Sequence, residues 1–197
     1  MPILDLPDAR LEYIPDFLSP NEASRFFNGL VDEIPWQEGT VRLFGKEHPI
    51  PRLQAWIGDA DARYRYSGVD LEPSPWTPLL LEIAEKLSAV RPAVSFNSVL
   101  ANLYRDGNDS MGWHSDDEPE LGDEPTIASI SLGATRDFRM RHLRRDDVEP
   151  LTLTLEGGSL LLMEGTTQEK WQHSLPKRRG RNSPGPRINL TFRRIFA

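Results

Sequence analysis

The sequence predicts an α+β domain whose C-terminal half is a sandwich or jelly roll of short strands. Three observations predict it. Two capped, amphipathic helical segments precede Pro92, a series of evenly spaced β-rich runs follows it, and no intervening stretch is long enough to act as a linker. Helices first and strands afterwards is the order expected when helices cover one face of an antiparallel sheet. A chain of 197 residues with 38% hydrophobic content can bury a single core, so one domain over 1–197 is expected.

The elements follow in order. Residues 11–14 read as a short strand. Ser19, Pro20 and Glu22 form a helix start, with Ser as N-cap, Pro at the first helical position and Glu closing a capping box. That helix runs to about 34, buries Phe26, Phe27 and Leu30, and stops at Pro35. Residues 36–75 carry extended pieces, 40–44 and 53–57, interrupted by Gly and Pro. Thr77 then caps a helix over 78–90, apolar at Leu79, Leu80, Ile83, Ala84 and Leu87. Beyond Pro92 the runs 96–104, 126–132, 138–142, 151–155, 159–163 and 188–193 read as strands, separated by turn clusters such as Asp106-Gly107-Asn108 and Glu156-Gly157-Gly158.

Composition narrows the chemistry. The absence of Cys excludes a disulfide framework, a thiolate metal site and a Cys nucleophile. No apolar run approaches the roughly 18 residues that span a bilayer, and the N-terminus lacks a signal core, so no membrane partner is expected. The expected location is cytoplasmic, or nuclear in a eukaryote. The net charge of −7 argues on its face against nucleic acid. The distribution tells a different story: residues 1–135 hold 10 basic against 23 acidic side chains, whereas 136–197 hold 13 against 7.

Only four histidines are present, at 48, 114, 142 and 173. In His114-Ser115-Asp116, a strand would place both potential ligands on one face. With His173 they supply two imidazoles and one carboxylate, the set that holds non-haem Fe(II) while leaving coordination positions open for a cosubstrate and O₂. On spacing alone, the same residues fit two surface-loop side chains and a satisfied core histidine. His48 reads as exposed, and His142 as a solvent-facing strand end, with a contact to phosphate as the alternative.

The end of the chain adds a second constellation. In Pro186-Arg187-Ile188-Asn189-Leu190-Thr191-Phe192-Arg193, a strand places Arg187, Asn189, Thr191 and Arg193 on one face and the apolar residues on the other. Two guanidiniums on a buried face require an anionic partner, and a dicarboxylate fits because each Arg clamps one carboxylate. The alternative is an exposed edge strand with its polar face in water.

Together these residues resemble the AlkB-type Fe(II)/2-oxoglutarate dioxygenases. The resemblance rests on His114-x-Asp116, His173 and Arg187-x-Asn189-x-Thr191-Phe192-Arg193, in the family's order. Asn102-Leu103-Tyr104, the Ile127–Gly133 segment with Ala134, and His173-Ser174-Leu175-Pro176 reinforce it. It extends from about residue 40 to the end and is most like the homologue that repairs alkylated duplex DNA. It implies a double-stranded β-helix (jelly-roll) core over about 96–197, N-terminal helices packed on one sheet, and a substrate-recognition lid over about 36–75. His114, Asp116 and His173 would hold Fe(II). Arg187 would take the distal carboxylate of 2-oxoglutarate, with Arg193 nearer the metal-bound end and Asn102, Tyr104, Asn189 and Thr191 completing the cosubstrate site. With O₂ as the other cosubstrate, the implied reaction is oxidative demethylation of N-alkylated bases such as 1-methyladenine and 3-methylcytosine, releasing formaldehyde, succinate and CO₂.

The resemblance also implies how substrate is met. A base within a duplex must be flipped out to reach a buried metal. Tyr66 would stack on it, beside Tyr64, and Asp117 would suit a cationic methylated base. Arg52 and Gln54 would also contact substrate. Phe44, in Arg42-Leu43-Phe44-Gly45-Lys46, would fill the gap in the duplex, and Lys177-Arg178-Arg179 would grip the opposite backbone. The plain alternatives are a turn residue packed on the core and a solvated basic loop. Tyr66 stands where the duplex-repair homologue has Phe, Ala55-Trp56-Ile57 is more apolar than its counterpart, and residues 1–39 read as packing. A monomer acting on duplex or single-stranded alkylated DNA, without an obligate protein partner, is the expected form. An RNA, protein or small-molecule demethylase and a silent module for alkylated nucleic acid are the competing readings.

Overall fold

The computed structural model describes residues 3–43, 46–62, 64–66 and 69–196, with side chains throughout except at 3, 5, 41–43, 46, 47, 64–66 and 69–71. The chain opens with a hairpin of β1 (Ile3–Leu6) and β2 (Ala9–Ile14), followed by α1 (Pro20–Glu33). Ser19 caps α1 as the sequence predicts, its hydroxyl accepting from the Glu22 N–H while the Glu22 carboxylate accepts from the Ser19 N–H. A second hairpin, β3 (Gln37–Leu43) and β4 (Lys46–Gly58), is followed by the short pair β5 (Tyr64–Tyr66) and β6 (Val69–Leu71), then α2 (Pro78–Val90). The remaining strands are β7 (Ser98–Tyr104), β8 (Met111–His114), β9 (Ile127–Gly133), β10 (Arg136–His142), β11 (Leu151–Leu155), β12 (Leu160–Glu164), β13 (Trp171–Leu175) and β14 (Arg187–Arg193). A one-turn helix, α3 (Thr167–Lys170), joins β12 to β13.

These strands form an eight-stranded sheet, β1-β2-β12-β9-β14-β7-β4-β3, and a four-stranded sheet, β11-β10-β13-β8. From β7 to β14 the chain passes back and forth between the two sheets, with β10 and β11 the consecutive pair in the smaller one. That is the winding of a jelly roll.

The centre of the large sheet is buried on both faces, which is why β7, β9 and β12 are apolar nearly throughout. Outside it, α1 and α2 press Phe26, Leu30, Leu80, Ile83 and Leu87 against Ile188, Leu190 and Phe192 of β14 and their neighbours. Inside it, Leu100, Leu161 and Met163 meet Phe138, Met140 and Trp171 of the small sheet. β14 lies between β9 and β7, so the edge-strand reading of the C-terminal run falls. Its polar face looks into the space between the sheets.

Several expectations shift. The extended pieces at 40–44 and 53–57 belong to one hairpin. β4 runs through Pro49 and Pro51 because it gains its second neighbour, β7, only from Leu53 onward, so no ladder bond is required of those prolines on that side. The whole hairpin belongs to the large sheet, and the second half of β4, including buried Ala55, Trp56 and Ile57, is paired on both sides. The short strands β1, β8 and β13 carried too little alternation to stand out. His142 is not a solvent-facing strand end: its side chain is buried, edge-on to Trp171 at 5.3 Å and 3.3 Å from Asp8 Oδ2. Its partners come from a neighbouring strand and the first hairpin, neither visible locally. His48 is exposed as expected.

Candidate active site

β8 pairs with β13 so that His114 stands opposite His173, with ring centroids 4.2 Å apart. β8 ends at His114, so Asp116 is not on the same strand as the sequence reading supposed. The turn after the strand aims it. Ser115 Oγ donates to the Trp171 carbonyl at 2.9 Å, and the Asp116 N–H donates to Gln168 Oε1 at 3.0 Å. Gln168, buried in α3, is held in turn by a contact from its Nε2 to Met163 Sδ. The outcome is that one ligand atom from each of His114, Asp116 and His173 lies within 4.8 Å of the other two.

The electrostatics suit a cation. His114 Nδ1–H donates to the Gly112 carbonyl at 3.0 Å, which leaves Nε2 facing Asp116 Oδ1 at 3.8 Å. Burial depresses both imidazoles, His173 to about 3, so both are neutral at physiological pH, the form that ligates metals. Burial alone would raise the Asp116 carboxyl, but the neighbouring Arg193 guanidinium overrides it and holds it at about 2. Arg193 Nη2 donates to Asp116 Oδ2 at 2.7 Å, with both side chains 2% exposed. Asp116 Oδ1 and His173 Nδ1 are buried without a hydrogen-bond partner among the described residues. Unmet buried polar atoms are rare unless a ligand is to meet them. Two neutral nitrogens and a carboxylate with positions left open fit Fe(II).

The facing wall fits a dicarboxylate. Asn102 and Tyr104 of β7 pair with Asn189 and Arg187 of β14. Arg187 is 2% exposed; its Nη2 donates to Ser131 Oγ at 2.9 Å, and its guanidinium lies 5.4 Å from the centre of the Tyr104 ring. Burial lowers its pKa to about 10, so it stays charged, yet no carboxylate among the described residues pairs with it and its Nε has no partner. A desolvated cation in that state seeks an anion from outside. Beside it, Thr191 Oγ1 donates to Asn189 Oδ1, and Asn189 Nδ2 donates to Ser129 Oγ and the Ile130 carbonyl, so this stretch of the wall is fixed before any ligand arrives.

Known proteins resemble this chain over nearly its whole length. A family model described as the 2OG-Fe(II) oxygenase superfamily matches residues 10–193. The chain belongs to that superfamily. It is an Fe(II)- and 2-oxoglutarate-dependent dioxygenase, with O₂ as the other cosubstrate. Alpha-ketoglutarate-dependent dioxygenase alkB homolog 3 of Bos taurus is 42% identical over 196 residues, a match covering 95% of this chain and 67% of that protein. DNA oxidative demethylase ALKBH2 of Mus musculus is 44% identical over 184 residues, covering 89% and 76%. The solved structure of OsALKBH1 superposes over 98% of this chain and all of its own with a TM-score of 0.67 at 16% identity, which speaks for the fold. Among the described residues, no helix is long and apolar enough to cross a membrane.

The expected substrate contacts divide. Arg52 is buried, its Nε donating to Asn102 Oδ1 at 2.7 Å and its Nη1 to the Ser110 carbonyl, so it braces the wall that carries Asn102. Gln54, half-buried, stands opposite Asn102 in the register with its Oε1 unpartnered among the described residues. Asp117 is exposed beside Asp116, and Lys177, Arg178 and Arg179 are exposed after β13. Phe44 lies outside the described residues, as do the side chains of Tyr64 and Tyr66, whose backbone pairs with β6. Ser115 and Gln168, which aim Asp116, and the buried Arg136 escape the sequence reading. A Gln in an unremarkable Thr-Gln-Glu-Lys turn carries no local signal. Ser115, between two ligands, was at least in view.

Proposed function

We propose that this chain is an oxidative demethylase acting on N-alkylated bases such as 1-methyladenine and 3-methylcytosine in DNA. The observation that carries the reading is the pairing, in one pocket, of a buried guanidinium with no carboxylate partner among the described residues, Arg187, with the His114/Asp116/His173 set, while exposed Lys177, Arg178 and Arg179 lie just beyond β13. The name of the 44% identical relative, DNA oxidative demethylase, supports the same substrate class.

In this reading His114, Asp116 and His173 hold Fe(II), and Arg187 pairs with the distal carboxylate of 2-oxoglutarate. Tyr104 and Asn102 line that carboxylate's path, and Arg193 holds Asp116 ionised and oriented. Bound iron and 2-oxoglutarate would supply O₂ activation, with one oxygen atom ending in succinate as CO₂ is released and the other on the carbon of an N-methyl group, which would leave as formaldehyde and restore the base. The protein's part is to fix the ligands, orient the dicarboxylate and keep water out of the pocket. Tyr66 stacks the flipped base with Tyr64 beside it, Asp117 faces its positive charge with Arg52 and Gln54 near the cosubstrate wall, Phe44 wedges the duplex, and Lys177, Arg178 and Arg179 bind phosphates.

The test is a turnover panel with 1-methyladenine in single- and double-stranded DNA, in RNA and in a nucleoside, alongside methylated peptides, read as formaldehyde and repaired base by mass. Demethylation of DNA that requires Fe(II) and 2-oxoglutarate is expected, with activity on duplex falling steeply as salt is raised. Preference for RNA or peptide, or turnover that survives EDTA, overturns the reading.

A further inference from the structure

The loop after β7 (105–110) and the loop after β13 (176–186) are fastened to each other more closely than surface loops require. The Arg178 N–H donates to the Gly107 carbonyl at 2.8 Å, and the Gly107 N–H donates to Ser183 Oγ at 3.2 Å. The approach needs glycine: a Cβ at 107 would lie 2.0 Å from the Arg178 carbonyl oxygen and 2.6 Å from Ser183 Oγ. Within the first loop, Asp109 accepts from the Arg105 backbone N–H and from its guanidinium.

Beneath both loops lies Arg136, at the start of β10 and 1% exposed. Its Nη2 donates to the carbonyls of Asp109 at 2.9 Å and Pro176 at 2.8 Å, and its Nη1 to that of Asp106 at 3.3 Å. One guanidinium thus ties three backbone carbonyls from two loops. Desolvation works against such a charge, and all its hydrogen bonds among the described residues go to main chain, so its return is geometric. Arg178 and Arg179, exposed, begin directly past Lys177 and the tied Pro176, and Arg178 Nη1 lies 3.9 Å from Asp137 Oδ2, next to Arg136 in β10.

We propose that Arg136 and Gly107 are positioning residues that fix the backbone of 176–179, so that Lys177, Arg178 and Arg179 meet successive phosphates of a nucleic-acid strand in one register relative to the His114/Asp116/His173 pocket. This rests on the DNA reading above. A basic run on a loose loop must be ordered when phosphate binds, and that ordering weakens binding. A run held in advance by a buried cross-tie avoids it.

The experiment compares the full chain with Gly107→Ala, Arg136→Gln and the milder Ser183→Ala. Substrates are a 1-methyladenine duplex and the free nucleoside 1-methyladenosine, which has no phosphates to grip. Hydrogen exchange over 176–183 is followed in the same proteins without DNA. Expected in Gly107→Ala and Arg136→Gln are faster exchange at 176–179 and a roughly tenfold higher KM for duplex, the cost of ordering about one further backbone residue. The salt slope of duplex binding should drop by roughly one, with turnover of the nucleoside held within about twofold. Ser183→Ala should shift the same readouts less. Faster exchange with an unchanged duplex KM overturns the proposal, as does unchanged exchange, or an equal loss on duplex and nucleoside. Failure of the wild-type chain to act on methylated DNA would instead bring down the reading on which the proposal rests, and the exchange pattern separates that case from failure of the clamp.

Discussion

The two walls of the pocket are built differently. The large-sheet wall, β14 between β9 and β7, is backed by α1 and α2, and behind each polar residue of β14 an apolar neighbour is locked into the helical core. The small-sheet wall, which carries both histidines, is backed by solvent. Its outer face shows Arg139, Arg141 and Trp113, the last 39% exposed with the Arg141 guanidinium 4.4 Å from its ring centre. A guanidinium can be kept buried where the scaffold behind it is thick. The histidine wall is thin, and the turn that aims Asp116 is set by individual hydrogen bonds, from Ser115 Oγ to the Trp171 carbonyl and from the Asp116 N–H to Gln168 Oε1. Rigidity therefore comes from packing on one side and from discrete cross-ties on the other, with Arg193–Asp116 joining the two.

If the walls act separately, substitutions on each should divide cosubstrate from metal. The largest effect is expected for Arg187→Ala. Removing one member of a buried charge pair costs about 2–5 kcal/mol, so the KM for 2-oxoglutarate should rise by roughly thirtyfold or more. Metal affinity, followed by titration with Mn(II), should hardly move; an equal loss of both would dissolve the distinction. On the opposite face of the same strand, Leu190→Ala should lower stability by about 2–5 kcal/mol in denaturant unfolding. The KM for 2-oxoglutarate of the folded fraction should stay near wild type, because Leu190 faces the helices.

Gln168→Ala tests the thin wall. Loss of a residue that orients a metal ligand typically costs about 10–100-fold in metal affinity, so weaker Mn(II) binding is expected, with near-normal 2-oxoglutarate KM at saturating metal. Unchanged Mn(II) binding would mean that Asp116 is held by Arg193 alone. The smallest effect is assigned to Ser19→Ala, which removes the α1 cap and should cost about 1 kcal/mol of stability while leaving both binding constants alone. A change in either constant would show that the helical backing transmits strain to the pocket.

Much of this was legible in the chain. Capping at Ser19 and Thr77, the alternation of β14 and the sharing of positive charge by the last third are local properties, and each survives in the structure. The His-x-Asp spacing and the paired arginines are each open to a plain surface reading when taken alone; only their combination, in the order that resembles the AlkB-type dioxygenases, points to a metal and dicarboxylate site. What escaped was whatever depends on a partner distant in sequence. His142 is buried by Trp171 and Asp8, Asp116 is aimed by Gln168, and Arg136 ties two loops that no local pattern connects.

The same division applies to charge. The sequence by itself determined that the acidic total conceals a basic final third, and that β14 carries two arginines on one face. Only the tertiary structure decided what those charges do. Arg187 and Arg136 are buried, one without a carboxylate among the described residues and one against carbonyls, whereas Lys177, Arg178 and Arg179 face solvent. The physical reason is that a guanidinium's role is set by its solvent exposure and its neighbours, and both are properties of packing that residue order alone does not contain.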